Sequence, residues 1–294
     1  MPQDDLPNNS ADNDITILLT RVADALERLA PPALQNTPLE QAMGYVWNSH
    51  SGRCEPVFAI SRMPLDTLRG IDTQIAALYD NTKAFAQGKM ANNALLWGAR
   101  GTGKSSVIKA VHGRLQEEGH DVAIVEIARE DIADLPKLMT YLGNQSARYI
   151  VFCDDLAFEG AESSYKALKA ALEGGLAGKP SNIVFYASSN RRHLMARQMI
   201  DNERSSAINP SEAVEEKISL SDRFGLWIGF HSIDQEGYLA IISAYIAHYN
   251  LPVSFEDIRL EALQWAMGRG HRSGRTAFQY IIHLAAKLDV TIEL

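Results

Sequence analysis

The chain has 294 residues, 46% hydrophobic and 22% charged, an ordinary globular balance that can bury a sizeable core. A formal net charge of −8 argues against a protein that grips nucleic acid by bulk charge, though not against a local basic patch. Two cysteines, Cys54 and Cys153, exclude a disulfide framework or a cysteine metal cluster, and no apolar run reaches the roughly 18 residues of a membrane helix.

The N-terminal stretch MPQDDLPNNSADND has no basic start followed by an apolar core, so no signal peptide is expected and the default compartment is the cytoplasm. Its polar, acidic, proline-bearing composition predicts disorder over residues 1–14. From Ile15 to Leu29, Leu18, Leu19, Val22, Leu26 and Leu29 recur at helical spacing, and Pro31 and Pro32 stop that helix. The stripe can pack on this chain or meet a partner. Residues 40–66 are of mixed composition and carry no clear period.

A regular pattern begins near residue 68. It predicts a helix over Leu68–Gln87, a strand at Ala94–Trp97, a helix over Gly103–Glu118 closed by Gly119, and a β-rich run at Val122–Ile127. Then follow a helix over Asp131–Leu142, a strand at Tyr149–Asp154, a helix over Glu162–Glu173, a strand at Ile183–Ser188 and a weaker one at Trp227–Phe230. Strands separated by helices imply a parallel sheet covered on both faces. Beyond residue 231 only helices are expected, at Tyr238–Tyr249, Phe255–Met267 and Thr276–Leu288, with their Trp and Tyr residues in the core. Cys153, inside an apolar run, reads as a small buried hydrophobe. The division expected is an N-terminal segment 1–65, an α/β domain 66–231 with five parallel strands, and a small helical domain 232–294.

Two motifs carry chemistry. Gly98-Ala99-Arg100-Gly101-Thr102-Gly103-Lys104-Ser105 matches G-x-x-x-x-G-K-[ST] in full, between an expected strand and an expected helix, with Ser106 in the first helical turn. Glycines there let backbone N–H groups turn inward around phosphate oxygens, and the helix adds its positive end. Lys104 offers a point charge to β- and γ-phosphates, and the Ser105 hydroxyl is a hard oxygen ligand for Mg²⁺. The second motif is the apolar strand Tyr149–Cys153 ending in Asp154 and Asp155, which delivers two carboxylates to the edge of the sheet where ligands bind. Asp154 suits Mg²⁺, and Asp155 suits orientation or deprotonation of an attacking water, with Glu159 as an alternative base.

Strand, phosphate loop, acidic strand, a strand ending Ala187-Ser-Ser-Asn190, then Asp222-Arg223-Phe224-Gly225, then Arg275 in a helical tail: this order resembles the AAA+ ATPases over about residues 66–290. The runs LLWGARGTGKSS, FCDDLAFE, YASSNRRHL, LSDRFGLW and HRSGRTAFQ resemble more narrowly the bacterial AAA+ family called domain of unknown function 815. The resemblance implies an ATP- and Mg²⁺-dependent ATPase, a homo-oligomer acting on a protein client, with the helical tail as a lid. It implies that Asn190 is the sensor-1 residue, Arg223 an arginine finger reaching a neighbouring subunit, Arg275 the sensor-2 residue with Arg272 as competitor, and Ile71 the adenine contact. Most AAA+ enzymes carry Asp-Glu where this chain has Asp154-Asp155; the shorter side chain reaches less far and implies slow turnover. Arg191, Arg192 and Arg197 with His193 form a basic cluster that can contact DNA or a neighbouring subunit, or lie on a solvated face. Residues Asp201–Glu216 read as a surface loop. The rival readings are an ATP-gated DNA-binding or helicase-loader-like switch, a small-molecule kinase, and an assembly that uses ATP as glue; the net charge does not support DNA.

Overall fold

The computed structural model describes residues 17–22, 39–158, 162–174, 178–191, 194 and 223–293. Its centre is a seven-stranded sheet. In chain order the strands are β1 (Gly44–Asn48), β2 (Arg53–Val57), β3 (Ala94–Gly98), β4 (Val122–Glu126), β5 (Arg148–Cys153), β6 (Ile183–Ser189) and β7 (Leu226–Phe230). They lie in the order β2-β1-β4-β5-β6-β3-β7. All neighbours pair in parallel except β1 and β2, which form an antiparallel hairpin.

The sheet thus has seven strands and not the five expected from sequence, and it begins at Gly44, inside the segment set apart as N-terminal. The two extra strands are short and fall in the stretch without a period. β2 carries Arg53, Glu55 and Pro56 and is exposed along most of its length, as an edge strand is. The hairpin turn is held by Asn48, whose Oδ1 accepts from the N–H groups of His50 (3.0 Å) and Ser51 (3.1 Å).

Inside the sheet, side chains alternate between two buried faces. Tyr149, Val151 and Cys153 of β5 point to one face, and Ile150 and Phe152 to the other. The first face is covered by α3 (Leu135–Gly143) and α4 (Glu162–Glu173); the second by α1 (Asp72–Ala86) and α2 (Lys104–Glu117). Each fully buried Leu, Ile or Phe in these layers contributes about 1.5–3 kcal/mol.

Two helix starts differ from expectation. α1 begins at Asp72 and not at Leu68, because Gly70 adopts a left-handed φ of 75° that no helix accepts. Leu65–Thr67 forms a single 3₁₀ turn before it. α3 begins at Leu135, so that Pro136 sits in the first turn, where its missing N–H costs nothing; Arg129–Asp134 is 3₁₀.

After β7 come α5 (Gln235–His248), α6 (Phe255–Arg269) and α7 (Gly274–Lys287), packed around their own core of Tyr238, Ile242, Ala262, Tyr280 and Ile281. Side chains cap all three N-termini: Asp234 accepts from Gly237 N, Ser254 from Glu256 N and Ser273 from Thr276 N. Residues 17–22 are helical, and Ile17, Leu18, Leu19 and Val22 are all more than half exposed. The expected disorder of 1–14, the rest of that helix, Glu159, Arg192, His193, Arg197 and the loop 201–216 lie outside the described residues. Among the described residues no helix is long and apolar enough to cross a membrane.

Candidate functional site

A cleft of about 580 Å³ opens at the carboxyl edge of the sheet, above β3, β5 and β6. Strand order reverses there, with β3 flanked by β6 and β7, and loops leaving adjacent strands in opposite directions part to leave a crevice.

The phosphate loop forms its floor. Gly98 ends β3 with φ 140°, and a Cβ there would lie 1.9 Å from the carbonyl oxygen of Phe230 on β7. Only glycine lets the chain leave so close to its neighbour. Gly101 and Gly103 take left-handed φ values of 73° and 97°. The Thr102 hydroxyl donates to the Ala99 carbonyl at 2.8 Å and closes the loop. Gly103 caps α2, so the positive end of that helix faces the cleft.

Lys104 is nearly buried. Its Nζ donates to the carbonyls of Gly98 (3.0 Å) and Ala99 (2.7 Å) and to Oδ1 of Asn190 (3.0 Å). Burial draws its pKa below the usual lysine value, with Asp154 and Asp155 opposing the shift and Arg100 and Arg275 adding to it.

Opposite, β5 ends at Cys153 and places Asp154 beside the loop. The Ser105 hydroxyl donates to Asp154 Oδ1 at 2.5 Å, and Ser188 of β6 donates to the same oxygen. Asp155 stands in left-handed backbone at φ 50°, a conformation aspartate tolerates better than most residues. Its N–H donates to Ser188 Oγ at 3.0 Å, and its carboxylate accepts from Asn190 Nδ2 at 2.5 Å. Lys104, Ser105, Asp154, Asp155 and Asn190, expected together from sequence, are thus joined by one hydrogen-bond network. Ser188 was missed as a member. Its signal in the sequence is its place in Ala187-Ser-Ser-Asn190, where the strand turns from apolar to polar before Asn190.

The remaining expected residues divide. Arg100, Gly101, Gly103, Ser106 and Arg275 line the cleft, and Arg272 does not. Ile71 is buried at the N-cap of α1, under Gly103, and Leu68 lines the cleft in its place. Leu68, Met63, Tyr245 and Phe278 supply the apolar part of the lining, with Tyr245 Oη 3.6 Å from Met63 Sδ and its ring centroid 5.4 Å from that of Phe278. The last two belong to helices whose Trp and Tyr residues are expected in the core; Tyr245 does both, being 3% exposed. Arg223 lies outside the cleft lining, at the entry to β7, where its Nε donates to Glu173 Oε1 at 2.7 Å. Arg191 follows Asn190, with its N–H on Ser189 Oγ at 3.2 Å.

The donor set fits a nucleoside triphosphate with Mg²⁺. The glycine loop, the N-terminus of α2 and Lys104 suit the phosphates, and the apolar part of the lining suits a base. The Ser105 hydroxyl and Asp154 carboxylate, already in contact, are hard oxygens suited to an ion that keeps most of its water. Among the described residues no group of three or more His, Cys, Asp or Glu side chains forms a cage for a transition metal.

A family model described as "Protein of unknown function (DUF815)" matches residues 40–288. No curated protein matches the chain. Among solved structures, the Aeropyrum pernix Orc1 protein in complex with DNA superposes at a TM-score of 0.52 and 15% identity, covering 76% of this chain and 59% of that one. A Thermotoga maritima RuvB variant superposes at 0.51 and 13% identity, covering 76% and 65%. The RuvB Holliday junction branch migration motor of the same organism gives 0.47 and 13%, covering 75% and 63%. The chain spans less than two thirds of each of these proteins. At such identities the likeness concerns the fold, which is that of the AAA+ ATPases.

Proposed function

We propose that this chain, which belongs to the family described as Protein of unknown function (DUF815), is an ATPase of the AAA+ class that binds ATP with Mg²⁺ and works as a homo-oligomer. The observation that carries the reading is the convergence of Lys104, Ser105, Asp154, Asp155, Asn190 and Arg275 on one cleft.

In this reading the loop amides and Lys104 bind the β- and γ-phosphates. Ser105 and Asp154 would hold Mg²⁺, which when bound neutralises charge on the phosphate oxygens. Asp155 takes up the proton of the attacking water, and Asn190, bonded to both Asp155 and Lys104, aligns that water with the phosphate. Arg275 approaches the outer phosphate from α7. Arg223, outside its own cleft, acts on the ATP of the next subunit. Residues 232–294 serve as a lid over the α/β unit, whose movement is passed to a protein client.

Phosphate release in the presence of ATP and Mg²⁺ tests the reading. The wild type turns over, and Lys104→Ala, folded by circular dichroism, loses ATP affinity and turnover. Equal affinity and equal hydrolysis in the two proteins would refute it. A second reading, an ATP-gated DNA-binding switch with little turnover, is favoured by the short Asp155 side chain where a longer glutamate suits hydrolysis. It expects tight ATP binding, negligible phosphate release and DNA binding gated by ATP. The net charge of −8 stands against it.

A further inference from the structure

The third helix of the C-terminal bundle starts on the phosphate loop itself. Gly274 is the first residue of α7, and its N–H, which has no acceptor within the helix, donates to the Gly101 carbonyl at 2.8 Å. The two backbones touch from both sides. A Cβ on Gly274 would lie 3.3 Å from the Gly101 oxygen, and one on Gly101 would lie 2.9 Å from Ser273 Oγ and 3.5 Å from Arg275 Cβ.

Glycine at 274 is not there for backbone freedom, since its φ is not in the left-handed region that glycine 101 occupies. In a helix, glycine costs up to about 1 kcal/mol relative to alanine. Space is what remains to account for it: a Cβ at 274 would press on the loop tip, which would have to give by a few tenths of an ångström.

The turn that presents Gly274 is fixed by a chain of hydrogen bonds. Ser273 is 2% exposed, and its Oγ accepts from Thr276 N at 3.1 Å and pairs with Thr276 Oγ1 at 2.9 Å. Thr276 Oγ1 meets His271 Nε2 at 3.2 Å, and His271 Nδ1 meets the Arg269 carbonyl at 2.9 Å. A carbonyl only accepts, so Nδ1 carries the proton and Nε2 accepts from Thr276. The helix start is therefore held on its own side by this chain, and the Gly274 N–H joins it to the phosphate loop. Arg275, the next residue, lines the cleft.

We infer that Gly274 is a positioning residue: its bond to Gly101 ties the bundle to the phosphate loop and sets Arg275 over the phosphates. Any change in the loop on phosphate binding is passed through this bond to the three-helix bundle. The inference rests on the nucleotide reading for its consequence, but the junction can be tested apart from it.

Gly274→Pro removes the N–H and sets a ring carbon against the Gly101 carbonyl, so it opens the junction from both causes at a helix position that otherwise tolerates proline; Ser273, extended at φ −153° and ψ 161°, can precede it. Gly274→Ala keeps the N–H and adds only a tight methyl. Hydrogen exchange of the unliganded chain is read over residues 98–104. It speeds up in Gly274→Pro and less in Gly274→Ala, with circular dichroism of both unchanged. Unaltered exchange in Gly274→Pro overturns the inference whatever the chain binds. ATP affinity is then measured by calorimetry for the wild type, Gly274→Pro, Arg275→Ala and the double variant. Each single change weakens ATP by about tenfold to a hundredfold, the range of one charge-assisted hydrogen bond. The double variant is no weaker than Arg275→Ala alone, because Gly274 acts through Arg275. Additive losses, or a Gly274→Pro variant that binds ATP like the wild type, overturn the inference. A wild type that binds neither ATP nor inorganic tripolyphosphate overturns the nucleotide reading instead, and the exchange result still decides the junction.

Discussion

His112 lies halfway along α2 with no solvent exposure, its Nε2 donating to the Val122 carbonyl at 3.0 Å and its Nδ1 without a partner. Burial holds its pKa down to about 4. The native imidazole is thus neutral where the unfolded one, near 6.5, takes up a proton. Stability from this residue is complete above pH 6.5 and is lost as pH falls toward 4. By pH 5 the loss is about 2 kcal/mol. Urea unfolding at pH 7.5 and pH 5 checks it: His112→Gln, which does not titrate, loses less stability between the two than the wild type does. Ser188 allows a second test at this scale. It donates to Asp154 and accepts from the Asp155 N–H, so Ser188→Ala loosens both carboxylates. The expected outcome is a several-fold rise in the Mg²⁺ concentration needed for ATP binding, on the order of 1 kcal/mol, with the melting temperature little changed. An unaltered Mg²⁺ titration would leave Ser188 a purely structural residue.

At the scale of elements, α2 carries a glycine, Gly113, in its interior, where a Cβ would lie 2.3 Å from Arg62 Nη1 and 2.7 Å from its Cδ. Arg62 crosses the helix there and donates to Gln116 Oε1 at 3.2 Å, just before Met63 enters the cleft. Two effects compete in Gly113→Ala. Helix propensity favours alanine by about 1 kcal/mol, and displacement of Arg62 opposes it. Alanine at 113 should therefore be near neutral in the wild type and stabilising by about 1 kcal/mol in an Arg62→Ala background. Thermal melts of the four proteins decide. The same elements show what the sequence discloses. β3, β5 and β6 are legible because both faces are buried and the run stays apolar up to the loop that carries chemistry. The 44–57 hairpin is not, because β2 mixes Arg53, Glu55 and Pro56 with apolar positions and is exposed along most of its length. Lys104, Ser105 and Asp154 are legible from local spacing alone. Tyr245 and Phe278 are not, since helical periodicity marks a side chain as inward-facing without saying that a cleft passes its edge. Gly274 is invisible in the same way, because its reason is a backbone 173 residues earlier in the chain.

At the scale of the whole molecule, Arg223 paired with Glu173 beside the sheet, and Lys104 in the cleft, occupy separate places on one subunit. Arg223→Ala should bind ATP almost normally and hydrolyse it roughly a thousandfold more slowly, as loss of an arginine finger implies. Mixed with Lys104→Ala, it should regain some turnover, since an intact loop can meet an intact finger across an interface. No recovery in mixtures shown to co-assemble would mean that the finger works in cis or that turnover needs every site in the ring.

The outer hairpin carries a consequence for the molecule's solubility. β2 closes one flank of the sheet with charged side chains and a proline that has no N–H to offer. Directly inside β1 runs β4, Val122–Glu126, whose first four residues are all buried and apolar. With the hairpin stripped away, that strand becomes a bare apolar edge able to recruit strands from other molecules. The hairpin therefore acts as a guard rail: a chain trimmed to begin at residue 66, where the α/β domain is expected from sequence to start, should precipitate or form β-rich aggregates where the longer one stays dispersed.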